Sequence, residues 1–185
     1  MTGAHSYTTV GVYTVTLTVN DGMGGVATAS LLVAVYDPSA GFVTGGGWIN
    51  SPPGAYSANP SLTGKANFGF VSKYQKGATV PAGKTEFQFR VANLNFHSTS
   101  YQWLVVAGAK RQYKGSGSIN GGGDYGFMLT ATDGEINGER GVDKFRIKIW
   151  DRATGSTVYD NQMSDADDAD AVQSIAGGSI VVRRS

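Results

Sequence analysis

The nine residues VDKFRIKIW at 142–150 alternate between two kinds of side chain: Phe145, Ile147 and Ile149 fall on one side, and Lys144, Arg146, Lys148 and Trp150 on the other. A period of two fits a strand with one buried face and does not fit a helix, whose apolar stripe repeats at about 3.6 residues. Residues 151–156 read as a turn and 157–159 as a returning partner strand. Further strands are expected at 66–74, 85–92, 101–107, 110–119, 125–132 and 179–183, with turns at 81–83, 120–123 and 133–138, where Gly, Pro or Asn-Gly occur. Residues 164–176 are acidic and rich in alanine without an apolar stripe, so no helix is expected there. Short strands at hairpin spacing imply an all-β sandwich or barrel.

Composition narrows the function classes. Glycine supplies 27 of 185 residues, roughly twice the average share of about 7%, in keeping with many turns. The net charge of +1 gives no basic surplus for nucleic acid or anionic membranes. No apolar run approaches the roughly 20 residues that span a bilayer, so no membrane insertion is expected. Without cysteine, disulfides, thiolate nucleophiles and cysteine-containing zinc sites are excluded. The first residues, MTGAHSYTTVG, lack a basic segment followed by an apolar run, so no signal peptide is expected there.

Residues 12–20 (VYTVTLTVN) place Tyr13, Val15, Leu17 and Val19 on one side. After a DGMGG turn, residues 26–36 form a second strand with Ala29, Leu31, Val33 and Val35 expected to face inward. His5, Tyr7, Gly11, Tyr13, Val15, Leu17, Val19 and Asp21 fall in the pattern H-x-Y-x-x-x-G-x-Y-x-V-x-L-x-V-x-D. This closely resembles the C-terminal half of a PKD domain, an Ig-like sandwich found in secreted and surface proteins. The family's first half, with its W-D-F-G-D-G strand, has no counterpart. A lone hairpin is marginal in water, so it is expected to pack on the following domain or to pair with a second copy as a homodimer.

Past a linker at 37–40, the motifs GFVTGGGWI (41–49), DKFRIKIWD (143–151) and VYDNQ (158–162) resemble a module of bacterial secreted proteins. That resemblance implies a cell-surface context and neighbouring domains in a longer chain, and supplies no mechanism. The expected organisation is a partial PKD-like hairpin at 1–36 followed by a β-sandwich module, Ig-like or jelly-roll-like, at 41–185.

Catalytic groups are sparse. His5 and His97 lie in different regions, and neither a G-x-S-x-G nor an H-E-x-x-H motif is present. GATVPAGKT (77–85) mimics a phosphate loop, but five residues separate its glycines and a strand follows where a helix is required. Asp165, Asp167, Asp168 and Asp170, with Asp160 upstream, offer the clustered carboxylates that calcium prefers, although no EF-hand spacing is present. A second group is Asp133, Glu135, Asn137, Glu139 and Asp143. For a glycan ligand, Trp150 with Lys144, Arg146 and Lys148 offers an aromatic plane beside hydrogen-bond donors, unless a loop or the hairpin covers that face. Trp48 and Trp103 are expected in the core. The functional expectation is a non-catalytic module for adhesion, spacing or carbohydrate binding. The alternative is a polysaccharide hydrolase using Glu135 and Asp143, which would have to face each other across roughly 5–10 Å.

Overall fold

The computed structural model describes residues 4–39, 41–136 and 141–183. Strands β1 (Gly11–Asn20) and β2 (Val26–Val35) form a two-stranded hairpin. A nine-stranded antiparallel sheet then contains β3 (Phe42–Ser51), β4 (Gly64–Tyr74), β5 (Pro81–Phe89), β6 (Leu94–Ala107), β7 (Lys110–Ile119), β8 (Gly122–Thr132), β9 (Lys144–Asp151), β10 (Thr157–Asp160) and β11 (Gly177–Arg183). The order across the sheet is β10-β9-β8-β7-β6-β5-β4-β3-β11. Consecutive strands are therefore neighbours, except that the last returns beside the first. A single turn of 3₁₀ helix, Arg90–Ala92, ends with Asn93 in the left-handed region at φ 49°.

The all-β, sandwich-type expectation is met, with both layers drawn from one sheet folded over on itself. Phe68 of β4 stacks on Phe145 of β9 with centroids 4.0 Å apart and planes 10° from parallel. Phe87 of β5 meets Tyr159 of β10 at 4.6 Å. The fold-over uses the long strand β6, whose pairing with β7 shifts register between Ser98 and Ser100 and again between Tyr101 and Trp103. Such irregularities bend a strand and increase its twist. The alternation read in β9 is realised, since Phe145, Ile147 and Ile149 are fully buried in the core.

Several strand boundaries differ from expectation: β6 begins at Leu94, β8 at Gly122 and β11 at Gly177, earlier than expected, and three further differences have a local reason. β3 was hidden by its glycines, two of which are required by packing: a Cβ on Gly45 would lie 2.7 Å from the Phe70 ring, and one on Gly47 would strike the Gly177 carbonyl. β5 begins at Pro81, so residues 81–83 belong to the strand and the turn lies before them; Pro is tolerated at a strand's first residue. The stretch 90–92 leaves the sheet for the 3₁₀ turn.

Both sheet edges are covered, as stable β proteins require. Beside β10, Asp160 N–H donates to Ala55 O at 2.9 Å and Ser57 N–H to Val158 O at 3.1 Å. On the free side of β11, Ile180 N–H donates to Asp143 Oδ2 at 2.6 Å and Val182 N–H to Asp133 Oδ2 at 2.9 Å. Two buried carboxylates thus occupy the positions a further strand's carbonyls would take.

The hairpin rests on the sandwich through the face opposite to the one expected. Thr14 donates through its N–H and hydroxyl to Asp168 Oδ2. Leu32, its cross-strand partner, approaches Trp150, and Tyr36 stacks on Tyr74 at 5.3 Å. Of the set read as inward-facing, Leu17, Val19 and Leu31 are 62%, 56% and 60% exposed, while Tyr13, Val15, Val33 and Val35 are half-buried. In the preceding segment, Tyr7 stacks on Tyr13 at 4.5 Å and meets His5 edge-on at the same distance. Linker residue 40 lies outside the described residues.

Candidate functional site

The two outer faces of the sandwich are finished differently. Over β7–β9 the chain lays its acidic loop, residues 161–172, and the motif VYDNQ is the clamp that holds it. Asn161 copies a strand's backbone pairing: Oδ1 accepts Ile147 N–H at 2.7 Å, and Nδ2 donates to Phe145 O at 2.9 Å and to Gln173 Oε1 at 2.7 Å. Gln162 donates to Asp165 Oδ2 and to Asp170 O, and accepts Val172 N–H. Beneath the loop Arg146, only 2% exposed, forms a two-point pair with Asp160 at 3.1 and 2.9 Å. It also donates to the Ala166 and Asp165 carbonyls.

This arrangement places the four residues expected to bind a glycan. Lys144, Arg146, Lys148 and Trp150 do share the outer parity of β9, but the loop covers most of it. Lys148 is tied to Asp167 at 2.6 Å, and Arg146 is spent on the loop. Trp150 lies against Gly126, where a Cβ would overlap the indole, and Lys114 Nζ sits 5.4 Å from the ring centroid. A cavity of 280 Å³ remains between Leu32, Lys114, Trp150 and Asp167.

The acidic residues read as calcium ligands each meet a different partner. Asp160 holds Arg146, Asp167 holds Lys148, Asp170 pairs with Lys110 at 2.9 Å, Asp168 accepts from Thr14, and Asp165 accepts from Gln162. Among the described residues no three such side chains converge on one point. In the second acidic group, Asp133 and Asp143 are buried and hold β11, Glu135 is exposed, and Asn137 and Glu139 lie outside the described residues. Asp143 Oδ1 also accepts Gly134 N–H at 3.0 Å, so both its oxygens are committed to backbone.

The opposite outer face, over β3–β6, is open. Pairing aligns Trp48, Asn67, Gln88 and Asn95 in one row across β3, β4, β5 and β6, and Gly46, Gly69, Glu86 and His97 in the next. The polar side chains surround a second 280 Å³ cavity over Gly69. Glu86 is paired with Lys84 at 2.7 Å and lies 3.6 Å from His97 Nδ1; the Lys84 hydrogen bond, with smaller help from His97, lowers its pKa. Gln88 Oε1 accepts from Arg90 Nε at 3.0 Å. Among the described residues, the side-chain amides of Asn67 and Asn95 have no protein partner.

Trp48, expected in the core, is half-buried on this outer row, with its indole over Gly177 and Lys65 Nζ 4.8 Å from the ring centroid. Trp103 is likewise half-buried and opposite Lys114. Each was displaced from the core by strand parity, because its neighbour, Ile49 or Leu104, takes the inward position. Sequence reasoning missed the open face because its residues come from four strands, and only the sheet register brings them into rows. Among the described residues, no helix is long and apolar enough to cross a membrane. No family model, curated protein or solved structure matches this chain.

Proposed function

We propose that the chain is a non-catalytic β-sandwich module of a larger secreted or cell-surface protein, serving to hold a carbohydrate surface and not to transform it. The observation that carries this reading is the asymmetry of the two outer faces. One is largely covered by a clamped loop, and the other presents uncovered amides on the sheet. Rigid, preformed polar groups retain binding free energy that flexible ones would lose to ordering. The motif resemblances support the secreted or surface context and the longer chain. The exposed apolar set of Leu17, Val19 and Leu31 is the surface on which an adjoining domain or a second copy would dock.

The hydrolytic alternative draws no support from Glu135 and Asp143. Asp143 is bound by two backbone N–H groups, whereas a general acid or nucleophile must be free to meet a substrate. The test is to incubate the protein with insoluble cellulose, chitin and starch and to measure both its depletion from solution and the release of reducing ends. Depletion without new reducing ends is expected. Release of reducing ends that scales with protein concentration would contradict the reading.

A further inference from the structure

Resting on that reading, we infer that the cavity over Gly69 on the outer face of β4–β6 is the saccharide site, and that it takes a neutral sugar ring through Asn67, Gln88 and Asn95. A neutral polyhydroxylated ring needs donors and acceptors in equal supply at fixed spacing. A primary amide offers both, with two N–H donors and one carbonyl acceptor. Three amides stand here in adjacent strands, and strands lie about 4.8 Å apart. Asn67 and Asn95 are unengaged among the described residues, and Gln88 uses only its oxygen.

Charge complementarity selects the ligand class. The carboxylate in the cavity, Glu86, is already balanced by Lys84 at 2.7 Å with His97 beside it. An acidic polymer would meet that carboxylate, and a cationic one would have to displace Lys84 from it, whereas a neutral ring meets the three amides beside an already balanced Glu86. At 280 Å³ the cavity lies near the lower bound of about 300 Å³ for small-molecule sites, which suits one ring. Trp48 continues the row beyond Asn67, so a chain of rings laid along the row would reach an indole.

The floor supplies a test that spares the fold. A Cβ on Gly69 would meet nothing within 4 Å, and its φ lies outside the left-handed region. Gly69→Leu therefore has room at its Cβ and projects its side chain into the cavity, and a strand interior favours it over glycine. On whichever of cellulose, chitin or starch retains the unaltered protein, Gly69→Leu should weaken retention by about tenfold or more, and Asn67→Ala by several-fold, from lost hydrogen bonds. Trp150→Ala should leave retention unchanged, with circular dichroism and melting checking the fold of each variant. Unchanged retention for Gly69→Leu, or loss with Trp150→Ala alone, overturns this site while leaving the module a carbohydrate binder. Absence of retention of the unaltered protein on all three polymers overturns both readings.

Discussion

Asp143 and Ile180, 37 residues apart, are joined by a 2.6 Å hydrogen bond from the strand's N–H to the buried carboxylate. With Asp133 on Val182, it lets the sheet end at β11 without leaving buried donors unpaired. Hydrogen bonds to a charged acceptor contribute about 1.5–3 kcal/mol each. Asp143→Ala, which also orphans Gly134 N–H, should destabilise the fold by about 3 kcal/mol or more in urea unfolding. Asp143→Asn keeps one acceptor oxygen and should cost less. Equal, small effects for both would show that β11 is held by its pairing with β3 alone.

Arg146 separates the buried ion pair from the surface ones. Removing one partner of a buried pair costs about 3–5 kcal/mol because the other is stranded, so Arg146→Met should be among the most damaging single changes in β9. It should also raise hydrogen exchange across residues 161–172, which lose two carbonyl contacts. Lys148→Met breaks a partly exposed pair with Asp167 and should cost less than about 1 kcal/mol.

Alkaline pH should unfold the protein by a route set in the core. Burial pushes the Tyr74 phenol up to about 12, and raises those of Tyr101, Tyr113 and Tyr159. In the unfolded chain these groups release protons near pH 10, so above that value the unfolded state binds fewer protons than the folded one. Their contribution is complete below pH 10 and lost as pH rises toward the folded values. Phenolate absorbance should show these tyrosines ionising together with the loss of circular dichroism; ionisation near pH 10 in the intact fold would contradict their burial.

The acidic loop is open to a calcium test. Because Asp160, Asp167 and Asp170 face Arg146, Lys148 and Lys110, the melting temperature should be the same in calcium and in EDTA at matched ionic strength. A rise with calcium, abolished by Asp167→Ala and Asp168→Ala, would mean that the loop exchanges its ion pairs for a cation.

Strand parity in β9 was legible because Phe145, Ile147 and Ile149 keep a strict period of two with charges between them. β3 was not, because Gly45, Gly46 and Gly47 erase the alternation although the pairing demands it. The roles of Asp143 and Arg146 were hidden for another reason. Arg146, a charged residue at an outward position, reads as solvated, and only the loop that folds back from 161–172 makes it buried, whereas Asp143 is engaged by β11, which returns from far along the chain. Asn67, Gln88 and Asn95 carry no local signal, since their meeting depends on register between strands separated by turns.

Side-chain amide resonances test the open face most directly. In a proton–nitrogen correlation spectrum titrated with soluble oligosaccharides of a polymer that retains the protein, the NH₂ signals of Asn67, Gln88 and Asn95 should shift together and saturate. Those of Asn161 and Gln162, locked in the loop clamp, should stay in place. Shifts centred on the Trp150 indole, with the three amides unmoved, would place binding on the loop-covered face and contradict the account.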